Sequence, residues 1–141
     1  MISPDVNILV YAFRDDVLEH PRYRDWLLSI VNGEAAYAIS PQVLSSVVRI
    51  CTHPGIFARP NPLEEVLRFC ETVTGPAQCQ LIQPGVRHWH IFADLCLRAQ
   101  CSGNLVQDAW LAALAIENGC EWITADRDYS RFPGLRWRTA F

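Results

Sequence analysis

Four aspartates, Asp5, Asp108, Asp126 and Asp128, are the residues of this chain whose types and placement suit chemistry. Asp108 stands out first. On a helical wheel at about 100° per residue, Leu111, Ala112 and Ala115 fall within roughly 60° of it, while Glu117 falls on the opposite side. A carboxylate on an apolar face either finds partners or does chemistry. Asp126 and Asp128 follow the short apolar run Cys120–Thr124, and Asp5 follows an apolar lead at the start of the chain. If Asp5, Asp108 and Asp126 converge, three ionised carboxylates repel, and some stay protonated unless a cation is present. Hard oxygen ligands with few other donors suit Mg²⁺ or Mn²⁺. Such an ion is matched to phosphodiester hydrolysis, where it activates water and stabilises charge on the leaving oxygen. Asp128 would be a further ligand or a base outside the ligand set; aspartate is also common in turns.

The elements that must position these side chains are legible. Met1–Pro4 reads as a brief central strand ending near Asp5, followed by a buried helix from about Val6, although periodicity alone also allows a longer strand. Asp5 then sits at a strand-to-helix junction, where it can also serve as an N-cap. Arg14–Glu19 is a charged loop. Pro21–Asn32 is an amphipathic helix with Tyr23, Trp26, Leu27, Ile30 and Val31 at helical spacing, stopped by Gly33. Ala35–Ile39 is a second strand, and Ser40-Pro41 opens a helix through Cys51 with proline at its first position. Asn61-Pro62 opens another, with Leu63, Val66, Leu67 and Cys70 as its apolar side. Gln80–Ile82 is a third strand, and Arg87–Gln100 a helix with Trp89, Phe92, Ala93 and Cys96 inward. The Asp108 helix has Asn104 as N-cap, Gln107 as its capping-box partner and Gly119 as the stop. An edge strand lies around Arg136–Arg138. Short strands separated by helices imply a parallel sheet covered on both faces. In such sheets sites form at the carboxyl ends of strands, where Asp5 and Asp126 lie.

Composition narrows the rest. The chain has 141 residues and is half hydrophobic, which fits a single domain over 1–141 with a sizeable core. No run reaches the roughly 18 apolar residues of a membrane span, and no basic region precedes an apolar stretch, so a cytoplasmic location without membrane association is expected. The six cysteines form no C-x-x-C pair and read as buried free thiols rather than disulfides or a zinc site. The net charge of −3 argues against a generic polyanion-coating protein. All 12 cationic residues are arginine; Arg127, Arg131, Arg136 and Arg138 crowd the end, as a solvated basic tail or as phosphate contacts. His88 and His90, two residues apart, do not share a helix face and cannot form a metal clamp. His53, before Pro54, has a local role in a turn. Nucleotide-binding glycine motifs and an acyl-transfer G-x-S-x-G are absent.

Three stretches, SPDVNILVYA, GNLVQDAWLAALAIENG and TADRDYSRFPGLRW, resemble the PIN-domain ribonucleases, and within them the VapC-type toxins of bacterial toxin–antitoxin modules. The resemblance spans nearly the whole chain. It implies a PIN-like three-layer α/β/α sandwich around a short, mainly parallel central sheet, and Mg²⁺-dependent endoribonuclease activity, with Mn²⁺ as an alternative ion. It implies that Asp5, Asp108 and Asp126 hold the metal, that Asp128 is an auxiliary acid, and that Thr124 and Asn7 support them. It also implies an RNA substrate, inhibition by a cognate VapB-type antitoxin seated in the active-site groove, and a homodimer.

In one place the sequence departs from the family's pattern. A glutamate is expected in the third helical segment, where this chain reads Val43-Leu44-Ser45-Ser46-Val47. The position falls at Ser46, or at Ser45 with a one-residue slip. Serine cannot supply the charge but can hold water through its hydroxyl. Asp94 is a conceivable substitute, but its helix face differs from that of Trp89 and Phe92. Two functions follow: a metal-dependent RNase toxin, or a catalytically weak protein of the same fold that acts by binding RNA or an antitoxin.

Overall fold

The computed structural model describes residues 1–141. Its elements run β1 (Ile2–Pro4), α1 (Val6–Phe13), α2 (His20–Val31), β2 (Tyr37–Ile39), α3 (Pro41–Cys51), α4 (Leu63–Thr74), β3 (Cys79–Leu81), α5 (His88–Arg98), α6 (Asn104–Glu117), β4 (Glu121–Ile123), a 3₁₀ turn (Arg127–Arg131) and β5 (Trp137–Arg138). The five strands form one sheet in the order β3-β2-β1-β4-β5, with every pair parallel. α1 packs on α2 and α3, α3 packs on α4, and α5 packs on α6, so that helices cover both faces in an α/β/α sandwich. The centre is apolar on both sides, with Leu9, Ala38, Ile39, Val43, Val47, Leu114 and Trp122 buried. No helix is long and apolar enough to cross a membrane.

β1 is the hinge of the topology. On one side its partner is β2, reached forward along the chain; on the other it is β4, reached only after α6. All three residues of β1 pair with β4, in the register Ile2↔Glu121, Ser3↔Trp122 and Pro4↔Ile123, but only Ile2 registers with Tyr37 of β2. Pro4 explains the difference. It has no N–H to give on the β2 side, whereas Asp5 N donates to the Ile123 carbonyl on the β4 side at 2.8 Å. The crevice between the carboxyl ends of β1 and β4 is where the strand order reverses, which is where open parallel sheets place their sites.

Several local expectations need correction. α6 begins at Asn104 itself: Gly103 is the capping residue, with φ +57° and no side-chain cap, a conformation that favours glycine. The Asn104–Gln107 capping pair therefore does not form, and the Gln107 side chain accepts from Gln42 Nε2 at 3.3 Å instead. Gly119, at φ +65°, is the left-handed stop as expected. Trp89 is not inward but 68% exposed; α5 buries His88 and Leu95, a helical repeat that leaves Trp89 about a quarter-turn away. Leu63 and Leu67 are half exposed, and α4 packs instead through Val66, Cys70 and Val73. All six cysteines are free thiols. His53 accepts from Gly55 N within its own turn.

Candidate active site

Asp5 is fixed from three directions. It is the N-cap of α1, with Oδ1 accepting from Val6 N at 2.7 Å. Its Oδ2 accepts from the Thr124 hydroxyl at 2.7 Å and from Asn7 Nδ2 at 3.2 Å. Thr124 is fully buried just past β4, and its hydroxyl oxygen also accepts from Asp126 N at 3.0 Å. Asn7 reaches the Thr124 hydroxyl from α1 and accepts from Ala125 N at 3.3 Å. Thr124 and Asn7 thus tie the start of the chain to the turn that carries Asp126. Asp126 caps that turn, its Oδ1 accepting from Asp128 N at 2.8 Å.

Asp108 projects from the second turn of α6 and is half-buried. The Tyr129 hydroxyl donates to its Oδ1 at 3.4 Å. Tyr129 is buried against Trp122 and Phe132, so it aims at Asp108 from a rigid base. The sequence reading missed this residue, although it lies three positions after Asp126 in the acidic stretch and its hydroxyl has few other places to go.

Electrostatics confirm that the carboxylates sense one another. The Asp5 carboxyl is pushed up to about 6, first by burial, against the pull of the Thr124 and Val6 hydrogen bonds, and further by the charges of Asp108 and Asp126. Asp108 is likewise raised, by burial and then by Asp126, with Asp128 adding to it and the Tyr129 hydrogen bond opposing. Burial and the charges of Asp5 and Asp108 hold the Tyr129 hydroxyl protonated. None of Asp5, Asp108 and Asp126 takes part in an ion pair, so their negative charge has no counter-charge in hydrogen-bond contact.

The three open onto one cleft of about 710 Å³. Its other wall is α3, whose Gln42, Ser46 and Arg49 recur at helical spacing, with Ile50 beside them and Phe57 closing the end. Ser46 lines this cleft, and Ser45 is exposed outside it, so Ser46 occupies the place where the acid was expected. Asp128 is exposed and does not line the cleft; it acts on Asp108 through charge alone. Asp94 is exposed and paired with Arg98 at 3.0 Å, away from the site.

The expected phosphate contacts from the end of the chain are only partly available. Arg136 donates to the Gly119 carbonyl, at the opposite end of β4 from the aspartates, and Arg138 pairs with Glu121 at 2.7 Å. The cation that does line the cleft is Arg49, which the sequence reading overlooked. Its position seven residues after Gln42 and three after Ser46 was the available signal. Arg49 enters no ion pair.

The donor set facing the cleft is oxygen: three carboxylates with the hydroxyl and amide oxygens of Ser46, Asn7 and Gln107, and no histidine or cysteine. That suits a hard divalent cation rather than zinc. No three His, Cys, Asp or Glu side chains close on a single point. An all-protein cage is therefore absent, and an ion that keeps several waters while taking one or two carboxylates is the kind this site fits.

Comparison with known proteins agrees with this geometry. The PIN domain profile matches residues 2–135. Ribonuclease VapC43 of Mycobacterium tuberculosis is 36% identical over 138 residues, covering 98% of this chain and 94% of the relative. Among solved structures, a chain of VapBC2 from Rickettsia felis, bound to a DNA fragment from its promoter, superposes with a TM-score of 0.70 at 21% identity, covering 99% of this chain and 98% of that one. A chain of a toxin–antitoxin complex from Klebsiella pneumoniae does so with a TM-score of 0.62 at 18% identity, covering 100% and 98%.

Proposed function

This chain belongs to the PIN-domain family, among the VapC ribonucleases, and on that premise we propose that it is a Mg²⁺-dependent endoribonuclease toxin neutralised by a cognate VapB-type antitoxin. The observation that carries the proposal is the set of three mutually repelling carboxylates, without a cationic partner, opening on one cleft. Asp5, Asp108 and Asp126 would hold the ion, one or two of them directly and the rest through its waters, with Mn²⁺ able to take the same oxygen donors. A bound Mg²⁺ would neutralise charge on the phosphodiester and act as a Lewis acid toward it.

The protein's own groups do the rest. Thr124 and Asn7 hold the Asp5 carboxylate in one orientation, and Tyr129 holds Asp108. Arg49 lines the same cleft as the aspartates and would seat a phosphate oxygen, the role for which a guanidinium fork is suited. Ser46, beside it, offers a hydroxyl that can orient water. In the hydrolysis, the water oxygen bonds to phosphorus, the P–O ester bond breaks, and the leaving oxygen takes up a proton. Asp128 would tune Asp108 by its charge. RNA as substrate is supported by the ribonuclease name of the 36% identical relative, and an antitoxin partner by the toxin–antitoxin complex that shares the fold. A homodimer acting in the cytoplasm belongs to the same proposal.

The test is incubation of the purified chain with single-stranded and structured RNA in Mg²⁺, with EDTA and Asp5→Asn as controls. Cleavage in Mg²⁺ that is lost in both controls supports the proposal; cleavage that survives both would sink it. Ser46 in place of the expected acid favours one other reading, a catalytically weak protein that acts by binding RNA or an antitoxin. Calorimetric titration separates the two, since no Mg²⁺ or Mn²⁺ binding at millimolar levels would favour the weak binder.

A further inference from the structure

We propose that a small aromatic pocket beside the acidic cleft is a nucleobase subsite, which seats one unpaired base next to the phosphodiester to be cut. The proposal rests on the ribonuclease reading above and adds what part of the RNA is recognised, and where. The pocket has a volume of about 270 Å³ and is lined by Phe92, Val106 and Trp110 with Gln42 and Gln107. Ligand sites for whole drug-sized molecules run from about 300 to 1,000 Å³, so this one suits a single planar ring.

Its aromatic floor is held in place. Phe92 and Trp110 meet edge to face, 5.2 Å between centroids at 70°. Behind them His88 is buried, its ring 4.2 Å from that of Trp110 and its Nε2 2.9 Å from the Trp110 carbonyl oxygen. Trp89 lies outside the pocket lining, with its ring 5.5 Å from that of Phe92, and is 68% exposed. Rigid aromatic faces at a surface are the means by which proteins bind unpaired bases, because every base has a face to stack.

Two glutamines join this pocket to the cleft. Gln42 Nε2 donates to Gln107 Oε1 at 3.3 Å, and both side chains line both cavities. Gln42 Oε1 and Gln107 Nε2 make no other hydrogen bond, which leaves one acceptor and one donor for the edge of a base. Apolar side chains of a docked peptide would leave Gln42 Oε1 and Gln107 Nε2 without partners. The continuity with the cleft and this donor–acceptor pair therefore favour RNA over a hydrophobic peptide.

The test uses a single-stranded oligoribonucleotide carrying one 2-aminopurine, bound to the full chain in EDTA so that binding is read without turnover. Stacking should quench the probe with the wild-type protein. Phe92→Leu should weaken binding by about five- to 150-fold and reduce the quench. Trp89→Ala, at an exposed position beside Phe92 where folding is not at stake, should weaken it by a smaller factor. In Mg²⁺, the cleavage sites in a randomised RNA pool should become less base-selective in Phe92→Leu. Unchanged quenching and an unchanged cleavage pattern in both variants would overturn the subsite while leaving the ribonuclease reading intact. Quenching without any cleavage by the wild-type protein would remove the ribonuclease reading and keep the subsite. Binding of an apolar peptide at this pocket, with no response to the oligonucleotide, would also overturn it.

Discussion

Replacing Thr124 with valine keeps the shape of a fully buried side chain and removes only its hydroxyl. That hydroxyl donates to Asp5 Oδ2 at 2.7 Å and accepts from Asp126 N at 3.0 Å. A hydrogen bond to a charged group is worth about 1.5–3 kcal/mol, and a deprived N–H adds about 1 kcal/mol where water can partly reach it. The expected loss above the Asp5 titration is therefore about 3 kcal/mol, on the order of 10 °C in Tm for a domain of this size. The loss depends on pH, and its sign follows from Asp5. Folding raises that carboxyl from 3.8 to about 6, so the metal-free protein loses stability as pH rises through this window, and the loss is complete above it. Valine removes a contact that favours the ionised form, which raises the folded value further. The variant therefore keeps losing stability at pH values where the wild type has levelled off. Urea denaturation in EDTA, followed by tryptophan fluorescence, should give a difference of about 3 kcal/mol near pH 8 and about 1 kcal/mol near pH 5. An equal difference at both values, or a larger one near pH 5, would refute the assignment of this hydrogen bond to an ionised, buried Asp5.

Other outcomes follow from the same geometry. Asp5→Asn should keep the α1 cap, since asparagine caps as well as aspartate, while RNA cleavage falls by about a hundred- to a thousandfold; cleavage within about tenfold of the wild type would contradict a role for this carboxylate in holding the ion. Arg49→Gln should raise KM for RNA more than it lowers kcat and reduce the slope of log affinity against log salt by about 1, read from binding at several salt concentrations. Ser46→Glu should tighten Mg²⁺ binding by about fivefold, the effect of roughly 1 kcal/mol from an added carboxylate in a partly hydrated cleft, measured by calorimetry. Arg14→Met should cost about 2–3 kcal/mol in urea denaturation, because the buried Arg14 guanidinium binds the Arg59 carbonyl, Asn61 and Asp16 and lies over the Phe57 ring that closes the cleft.

The helical wheel set Asp108 beside Leu111, Ala112 and Ala115, all of them buried, and the strand-to-helix junction placed Asp5 because capping is local chemistry. Element order and parallel pairing were legible for the same reason: short apolar runs between helices leave few other arrangements. What escaped depended on contacts between distant segments. Tyr129 meets Asp108 across 21 residues, and no local pattern announces that. Arg49 shares the cleft with the aspartates only because α3 packs on α1, while Arg136 and Arg138, conspicuous in the sequence, are taken up by Gly119 and Glu121. The inward placement expected of Trp89 failed on helix phase, since His88, with a carbonyl to bond and two rings to pack on, takes the buried position. The capping box at Asn104 failed because the backbone at Gly103 takes a positive φ that makes an extended cap residue unnecessary.

The position of β1 has a consequence for synthesis. Within this chain it is made well before β4, yet all its residues pair with β4, more than a hundred residues later. Thr124, which orients Asp5, and Asp126, which completes the acidic set, arrive with β4 and the turn that follows it. A nascent chain that has already made α1 to α5 therefore carries Asp5 without its partner hydroxyl and lacks the opposing acids. Domains fold as units during synthesis, and long-range pairing forms late. The acidic set of a domain built this way comes together only after the turn that follows β4 has been made.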